Sequence, residues 1–275
     1  MTVIATLVTK EGTVHASDSL ITKKINNSNY EPMEWERSKI VTVRPLRGAM
    51  SCWGLNVCKE YKWSTVEWLR KQVEGLDGDV SPEEFAQKIA DELKRDIYKM
   101  NFKEETDYGI GIHFTAYERI EDYWIPEMFL ISNWGGPTCE SISDTGVGVS
   151  RQTFSKVNGE SVNSAHRETE YRLIVHKYLQ DTGNMIIYCN GDPRMFNIAA
   201  YAILGMMRTL RERGRLTKPG EIKTLRSMAR LPIEMVSNAQ REFCREGTRI
   251  VGGKPHDLSI THTGEYDSDS GDDKV

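Results

Sequence analysis

Thr2-Val3-Ile4-Ala5-Thr6-Leu7-Val8-Thr9-Lys10-Glu11-Gly12-Thr13-Val14-His15-Ala16-Ser17-Asp18-Ser19 opens the chain and holds the key to its architecture. Residues 2–9 are rich in Thr, Val, Ile and Leu, which suit a pleated, half-buried surface. Lys10-Glu11-Gly12 supplies a turn, and 13–17 return as a second arm. The pattern predicts a strand-turn-strand unit at the N-terminus.

A second hairpin follows, with 39–43 as one arm, Arg44-Pro45-Leu46-Arg47 as its turn and 48–53 as the other arm. The polar stretch 22–38 between the two hairpins reads as loop. A helix is expected over about 57–76, where Val66, Leu69 and Val73 keep helical spacing. Another opens at Ser81-Pro82-Glu83-Glu84: the serine caps, the proline suits the first helical position and Glu84 closes a capping box. Its stripe is Phe85, Ile89, Leu93 and Ile97. The period then falls to two at Tyr108, Ile110, Ile112 and Phe114, and 125–131 answers as a partner strand.

Residues 133–182 read as a long excursion from the domain. Its first part, 133–165, is rich in Gly, Ser, Thr and Asn, and a short helix is expected around 171–179. A buried strand is expected at 185–189 and a helix at 192–213, whose Ala199, Ala200, Ala202 and Gly205 allow close packing. A further helix at 221–245 is expected to break at Pro232, and a last strand covers 257–261. Helices covering two largely antiparallel sheets make an α+β fold. Residues 1–263 are expected to form one domain, with 264–275 a disordered tail.

Charge supports this division. The chain has 275 residues, 36 basic and 40 acidic side chains and a net charge of −4. Glu265, Asp267, Asp269, Asp272 and Asp273 against Lys274 place that whole excess in residues 264–275. A neutral body is unlike a protein that coats nucleic acid. No stretch reaches the roughly 20 apolar residues that span a bilayer, and no signal peptide is read at the N-terminus, so a cytoplasmic protein is expected. Cys52, Cys58, Cys139, Cys189 and Cys244 show no C-x-x-C pair and read as reduced thiols. His15, His113, His166, His176, His256 and His262 lack metal-ligand spacing, so neither metal nor cofactor is expected. His15 and His113 fall within strand patterns and read as sheet-face residues. Trp63, Trp68 and Leu69 read as core or subunit contact.

The chemistry lies at Thr2. A small second residue favours removal of Met1, leaving an α-amine with a pKa of roughly 8 beside the Thr2 hydroxyl. Base and nucleophile then share one residue.

The opening strand and its return into Ala16-Ser17-Asp18-Ser19 resemble the proteasome-type N-terminal nucleophile (Ntn) hydrolases, namely proteasome β subunits, the bacterial protease HslV and outlying bacterial homologues. Asp18 follows Thr2 by sixteen residues, the family separation. Ser38-Lys39-Ile40-Val41 is similar to the element carrying the family lysine. The segment from Arg47 to Gly54 resembles the strand after it, and Val251-Gly252-Gly253 resembles the family's Gly-Gly close. The resemblance implies a four-layer αββα sandwich in which Thr2 attacks, Lys39 sits beside it and Asp18 orients Lys39. It also implies an oxyanion donor from the backbone near Ser51, Cys52 or Trp53. Met50 is expected in the side-chain pocket.

The implied activity is a threonine-type peptidase or amidohydrolase acting on peptide or amide substrates. It works within a self-assembled homo-oligomer, a ring or spiral, without nucleic acid or membrane. No residue identifies an ATP-driven unfoldase partner. The stretch from Asp18 to Lys39 is longer than the family norm, and the family's supporting "G-S-G" serine has no counterpart at Gly191-Asp192. Two alternatives therefore stand beside the hydrolase: a catalytically silent assembly subunit, and a small-molecule amidohydrolase of the same fold.

Overall fold

The computed structural model describes residues 2–9, 12–24, 30–34, 37–76, 79–99, 109–135, 141–142, 148–151, 156–157, 160–161, 186–191, 193–212, 222–244, 249 and 251–268. The opening hairpin forms as β1 (Val3–Val8) and β2 (Gly12–Ser17), paired antiparallel from Ile4↔Ser17 to Val8↔Thr13. Both strands are buried along their whole length because each face is covered. Side chains alternate across a strand. Val3, Ala5, Leu7, Val14 and Ala16 therefore meet one layer, while Thr6, Thr13 and His15 face the other way.

The stretch expected as loop at 22–38 instead carries a small hairpin, β3 (Ile21–Lys24) with β4 (Tyr30–Glu34). Its polar residues mask the strand period, since the pair stands apart from both main sheets. β5 (Ile40–Val43) and β6 (Gly48–Gly54) form the second hairpin, with a single 3₁₀ turn at Arg44–Leu46 between them.

The first helix is shorter than its spacing suggests. Residues 57–64 carry a tight pair, β7 (Val57–Cys58) with β8 (Trp63–Ser64), and α1 runs over Thr65–Glu74. Ser64 caps it by accepting from the Glu67 N–H at 3.3 Å, which fixes the start. α2 (Pro82–Lys99) opens on the expected capping box. The Glu84 N–H donates to Ser81 Oγ at 3.2 Å, and the Ser81 N–H donates back to Glu84 at 3.0 Å.

β9 (Ile110–Ile120) and β10 (Tyr123–Ser132) form a long hairpin. The excursion is not wholly separate from the domain. Short pairs form at β11 (Trp134–Gly135) with β12 (Ser141–Ile142) and at β14 (Lys156–Val157) with β15 (Glu160–Ser161). Between them β13 (Gly148–Arg151) returns to pair with β10. The helix expected at 171–179 lies outside the described residues.

β16 (Ile186–Gly191) pairs with β1. α3 (Pro193–Glu212) follows, and Gly205 is exposed, with open space around it among the described residues. α4 (Ile222–Phe243) runs straight through Pro232, against expectation. The proline forfeits one helical hydrogen bond. Leu225, Met228, Ala229, Ile233 and Val236 bury that helix against β1 and β2 on both sides of the proline, which holds it continuous.

β17 (His256–Thr261) pairs with β2, and β18 (Tyr266–Ser268) pairs with β17. The expected tail is therefore ordered sheet at 266–268, where Asp267 and Asp257 both engage Arg226. Residues 269–275 lie outside the described residues.

Two five-stranded antiparallel sheets result, in the orders β16-β1-β2-β17-β18 and β13-β10-β9-β6-β5. α3 and α4 cover the first through Ile203, Leu225 and Ile233. α1 and α2 cover the second through Leu69, Phe85, Ile89 and Leu93. This is the expected helix-sheet-sheet-helix order.

The space between the sheets is apolar at one end, where Ile40, Ala49, Tyr117, Leu258 and Ile260 meet. Elsewhere it is polar and largely bonded to itself. Thr6 Oγ1 meets His113 Nδ1 at 2.9 Å, His15 Nδ1 meets Ser51 Oγ at 3.0 Å and His15 Nε2 meets Thr115 Oγ1 at 2.8 Å. The two histidines thus do pack on sheet faces. Burial drives the His15 pKa down to about 3, and burial together with the neighbouring His15 lowers His113. Both rings stay neutral in the fold, while their unfolded counterparts take up a proton below about pH 6.5. Stability is therefore complete above that pH and drains as pH falls from 6.5 toward 3. Between pH 7 and pH 5, His15 alone should remove about 2 kcal/mol. Urea titrations across that interval should show the loss, and a flat profile would contradict the neutral seam.

Candidate active site

The polar cluster beside Thr2 is built from the ends of four elements. Thr2 precedes β1, Asp18 follows β2, Lys39 precedes β5 and Gly252 lies just before β17. Strand ends are where a sheet leaves backbone groups free for other partners. Thr2 is 1% exposed, and Asp18 and Lys39 are fully buried.

Lys39 Nζ donates three hydrogen bonds, to Thr2 Oγ1, Asp18 Oδ1 and the Leu20 carbonyl, each at 2.8 Å. An ammonium has three hydrogens and no lone pair, so all of its bonding capacity is spent. Asp18 is equally committed. Its Oδ1 also accepts from the Val3 N–H at 3.0 Å, and its Oδ2 accepts from the Gly252 N–H at 3.3 Å. The Gly252 carbonyl in turn accepts from Ser19 and Leu20 at 3.1 and 3.0 Å. The Gly-Gly segment thus clamps the turn that carries Asp18. The three residues singled out from the sequence, Thr2, Asp18 and Lys39, converge.

The remaining predicted residues divide. Met50 has no exposed surface and lies among Val41, Phe114 and Phe129 on the helix side of the second sheet. Strand alternation puts it on the same face as Cys52, where it fills closed core instead of lining an open pocket. Ser51 spends its hydroxyl on His15. The Cys52 N–H donates to the Lys39 carbonyl at 3.1 Å and is not free for an oxyanion. That bond points Cys52 toward β5, so the N–H groups of Ser51 and Trp53 face β9, where their partners are His113 and Gly111. The donors expected at Ser51, Cys52 and Trp53 are therefore engaged within the sheet. The Trp53 indole covers Gly111, where a Cβ would lie 1.9 Å from the ring, and it meets the His113 ring edge-on at 5.2 Å.

Asn56 was not foreseen. It is 7% exposed, and its Nδ2 donates to the Gly54 carbonyl at 3.2 Å and to Thr2 Oγ1 at 3.4 Å. Its Oδ1 accepts from the Cys52 thiol at 3.3 Å. Burial pushes the Cys52 pKa up to about 12, against the weaker pull of Lys39 and Arg37, so the group remains a thiol donor. A lone asparagine carries no spacing signal, and the turn that aims it depends on Gly54. That residue has φ +84, and a Cβ there would sit 1.9 Å from the Gly109 carbonyl oxygen. On the other side of Thr2, Gly191 has φ +124, and its missing Cβ would lie 1.8 Å from the Thr2 carbonyl oxygen.

Among the described residues, no group of three His, Cys, Asp or Glu side chains could hold a metal ion. Cys52, Cys58, Cys189 and Cys244 are free thiols. No described helix is long and apolar enough to cross a membrane.

Solved structures share this architecture, two of them as follows. The Anbu (Gly-1) mutant from Hyphomicrobium sp. strain MC1 matches with TM-score 0.51 at 11% identity, over 100% of this chain and 89% of that one. Anbu (ancestral beta-subunit) from Yersinia bercovieri matches with TM-score 0.51 at 11% identity, over 98% of this chain and 88% of that one. No family model matches the chain, and no curated protein matches it significantly. The likeness is one of fold: the chain has the four-layer sandwich of helices on two antiparallel sheets that those structures share.

Two substitutions test the cluster. Asp18→Asn removes the charge that offsets buried Lys39 and should destabilise the protein by about 3–5 kcal/mol in urea unfolding; a loss below about 1 kcal/mol would contradict the pairing. Gly191→Ala forces a side chain into a glycine-only conformation against the Thr2 backbone and should cost about 1–3 kcal/mol. Full stability in that variant would contradict the close approach.

Proposed function

We propose that the chain is an N-terminal threonine hydrolase that cleaves peptide or amide bonds after loss of Met1. The observation that carries this reading is the 2.8 Å contact between Lys39 Nζ and Thr2 Oγ1, with Lys39 held by Asp18. Because all three ammonium hydrogens are donated, Lys39 has no capacity to accept the hydroxyl proton. The base is the freed α-amine of Thr2, whose ordinary pKa of roughly 8 leaves a useful neutral fraction at physiological pH.

Thr2 Oγ adds to the substrate carbonyl while its proton passes to the α-amine. Lys39 stabilises the negative charge that develops on Oγ, in a water-poor site where such charge is strongly felt. The tetrahedral species collapses, the leaving amine takes the proton, and an ester remains on Thr2. Water, deprotonated by the same amine, releases the acid. A ring or spiral homo-oligomer with sites facing a shared interior is part of the same reading, by analogy with its fold.

The 1% exposure of Thr2 also supports the second reading, a silent assembly subunit. Intact mass and labelling separate the two. The purified protein should lack Met1, and a peptidyl β-lactone should add once, at Thr2. Thr2→Ala should abolish the adduct. Retention of Met1, or an adduct that persists in Thr2→Ala, would overturn the hydrolase reading.

A further inference from the structure

We propose that the side-chain amide of Asn56 is the oxyanion donor, supplying the hydrogen bond that the backbone of Ser51, Cys52 and Trp53 does not. The inference rests on the threonine-hydrolase reading and assigns a further catalytic residue within it. Addition of Thr2 Oγ to a carbonyl forms the Oγ–C bond and pushes the carbonyl π pair onto oxygen. The hydroxyl proton leaves to the α-amine. The new oxyanion then lies one C–O bond beyond the carbon attached to Oγ and needs a donor within about 3 Å.

The cluster offers few candidates. Lys39 has spent its three hydrogens on Thr2 Oγ1, Asp18 and Leu20. The Cys52 N–H is bound to the Lys39 carbonyl, and the N–H groups of Ser51 and Trp53 face β9. Asn56 Nδ2 has one hydrogen on the Gly54 carbonyl at 3.2 Å. Its other hydrogen rests on Thr2 Oγ1 at 3.4 Å, a long bond to an oxygen that Lys39 already serves at 2.8 Å. That second hydrogen is loosely held and placed beside the reacting atom.

Orientation of the amide is set from its other end. Oδ1 accepts from the Cys52 thiol at 3.3 Å, which leaves Nδ2 turned toward Thr2. Cys52 thereby acts as a positioning residue, and the identity of the buried thiol at this strand position acquires a purpose. A neutral amide suits the task, since it donates without adding a charge next to Lys39. Asn56 gives up no proton in the reaction; it contributes a hydrogen bond that strengthens as charge moves onto the substrate oxygen. A burial of 7% exposure keeps water from competing for that bond.

The test uses the full chain with Met1 removed, in wild-type, Asn56→Ala and Asn56→Asp forms. The aspartate keeps the size and loses the donor. Three quantities are read for each: the second-order rate of labelling by a peptidyl β-lactone, the affinity for a tetrahedral peptide boronate, and the affinity for the corresponding peptide acid product. Urea midpoints are measured alongside. Both variants should label about 10²–10³-fold more slowly. Boronate affinity should fall in parallel, while product affinity stays near wild type and both variants remain folded in the assay buffer. Labelling of both variants at the wild-type rate overturns the role of Asn56 and leaves the Thr2 reading intact. Equal losses of boronate and product affinity, or a loss matched by unfolding, also overturn it, since they mark a structural role. Absence of any wild-type labelling at Thr2 defeats the threonine reading and this inference with it.

Discussion

A buried ammonium with three hydrogens and three acceptors is the constraint around which this protein is arranged. Lys39 is one of the largest fully buried side chains. Removing such a charge from water is costly unless every donor finds a partner. The fold meets that requirement by bringing together the ends of β1, β2 and β5, none of which could satisfy the lysine alone. Asp18 then demands its own donors, and Val3 and Gly252 provide them. The need to neutralise and bond one charge thus ties the N-terminal strand to residues more than 230 positions away.

The same logic organises the space between the sheets. A sandwich filled wholly by aliphatic side chains would suffice for stability, yet this one places Thr6, His15, Ser51, His113 and Thr115 in contact. Buried polar groups are tolerated when all members are paired. Their directional bonds favour one register of the two sheets over its neighbours. The glycines belong to this economy of space. Gly111 yields its side-chain volume to Trp53, and Gly191 yields its own to the Thr2 backbone.

Much of this was legible in the residues. The opening hairpin, the Arg44-Pro45 turn and the Ser81–Glu84 capping box each have a local cause, and local causes leave local patterns. Thr2, Asp18 and Lys39 were found through their resemblance to a family opening; no periodicity would have joined them. The hairpin at 21–34 escaped because its strands lack an apolar face. Strand β13 escaped because its partner lies in β10, distant in pattern from its own Gly- and Ser-rich surroundings. Pro232 misled because its cost is local while the packing that offsets it is tertiary. Met50 misled because packing against the helices fills the space at its strand position, and Asn56 was invisible because its neighbours in space, Cys52 and Thr2, impose its role.

Thr2 is proposed to react in the setting that Lys39 creates. A crystal structure of the protein lacking Met1, soaked with a peptidyl β-lactone, tests it most directly. The expected electron density shows an ester on Thr2 Oγ, with Lys39 Nζ still within hydrogen-bond distance of that oxygen and of Asp18. An adduct on Cys52, or on Thr2 with Lys39 turned away from it, would rule out this role for Lys39.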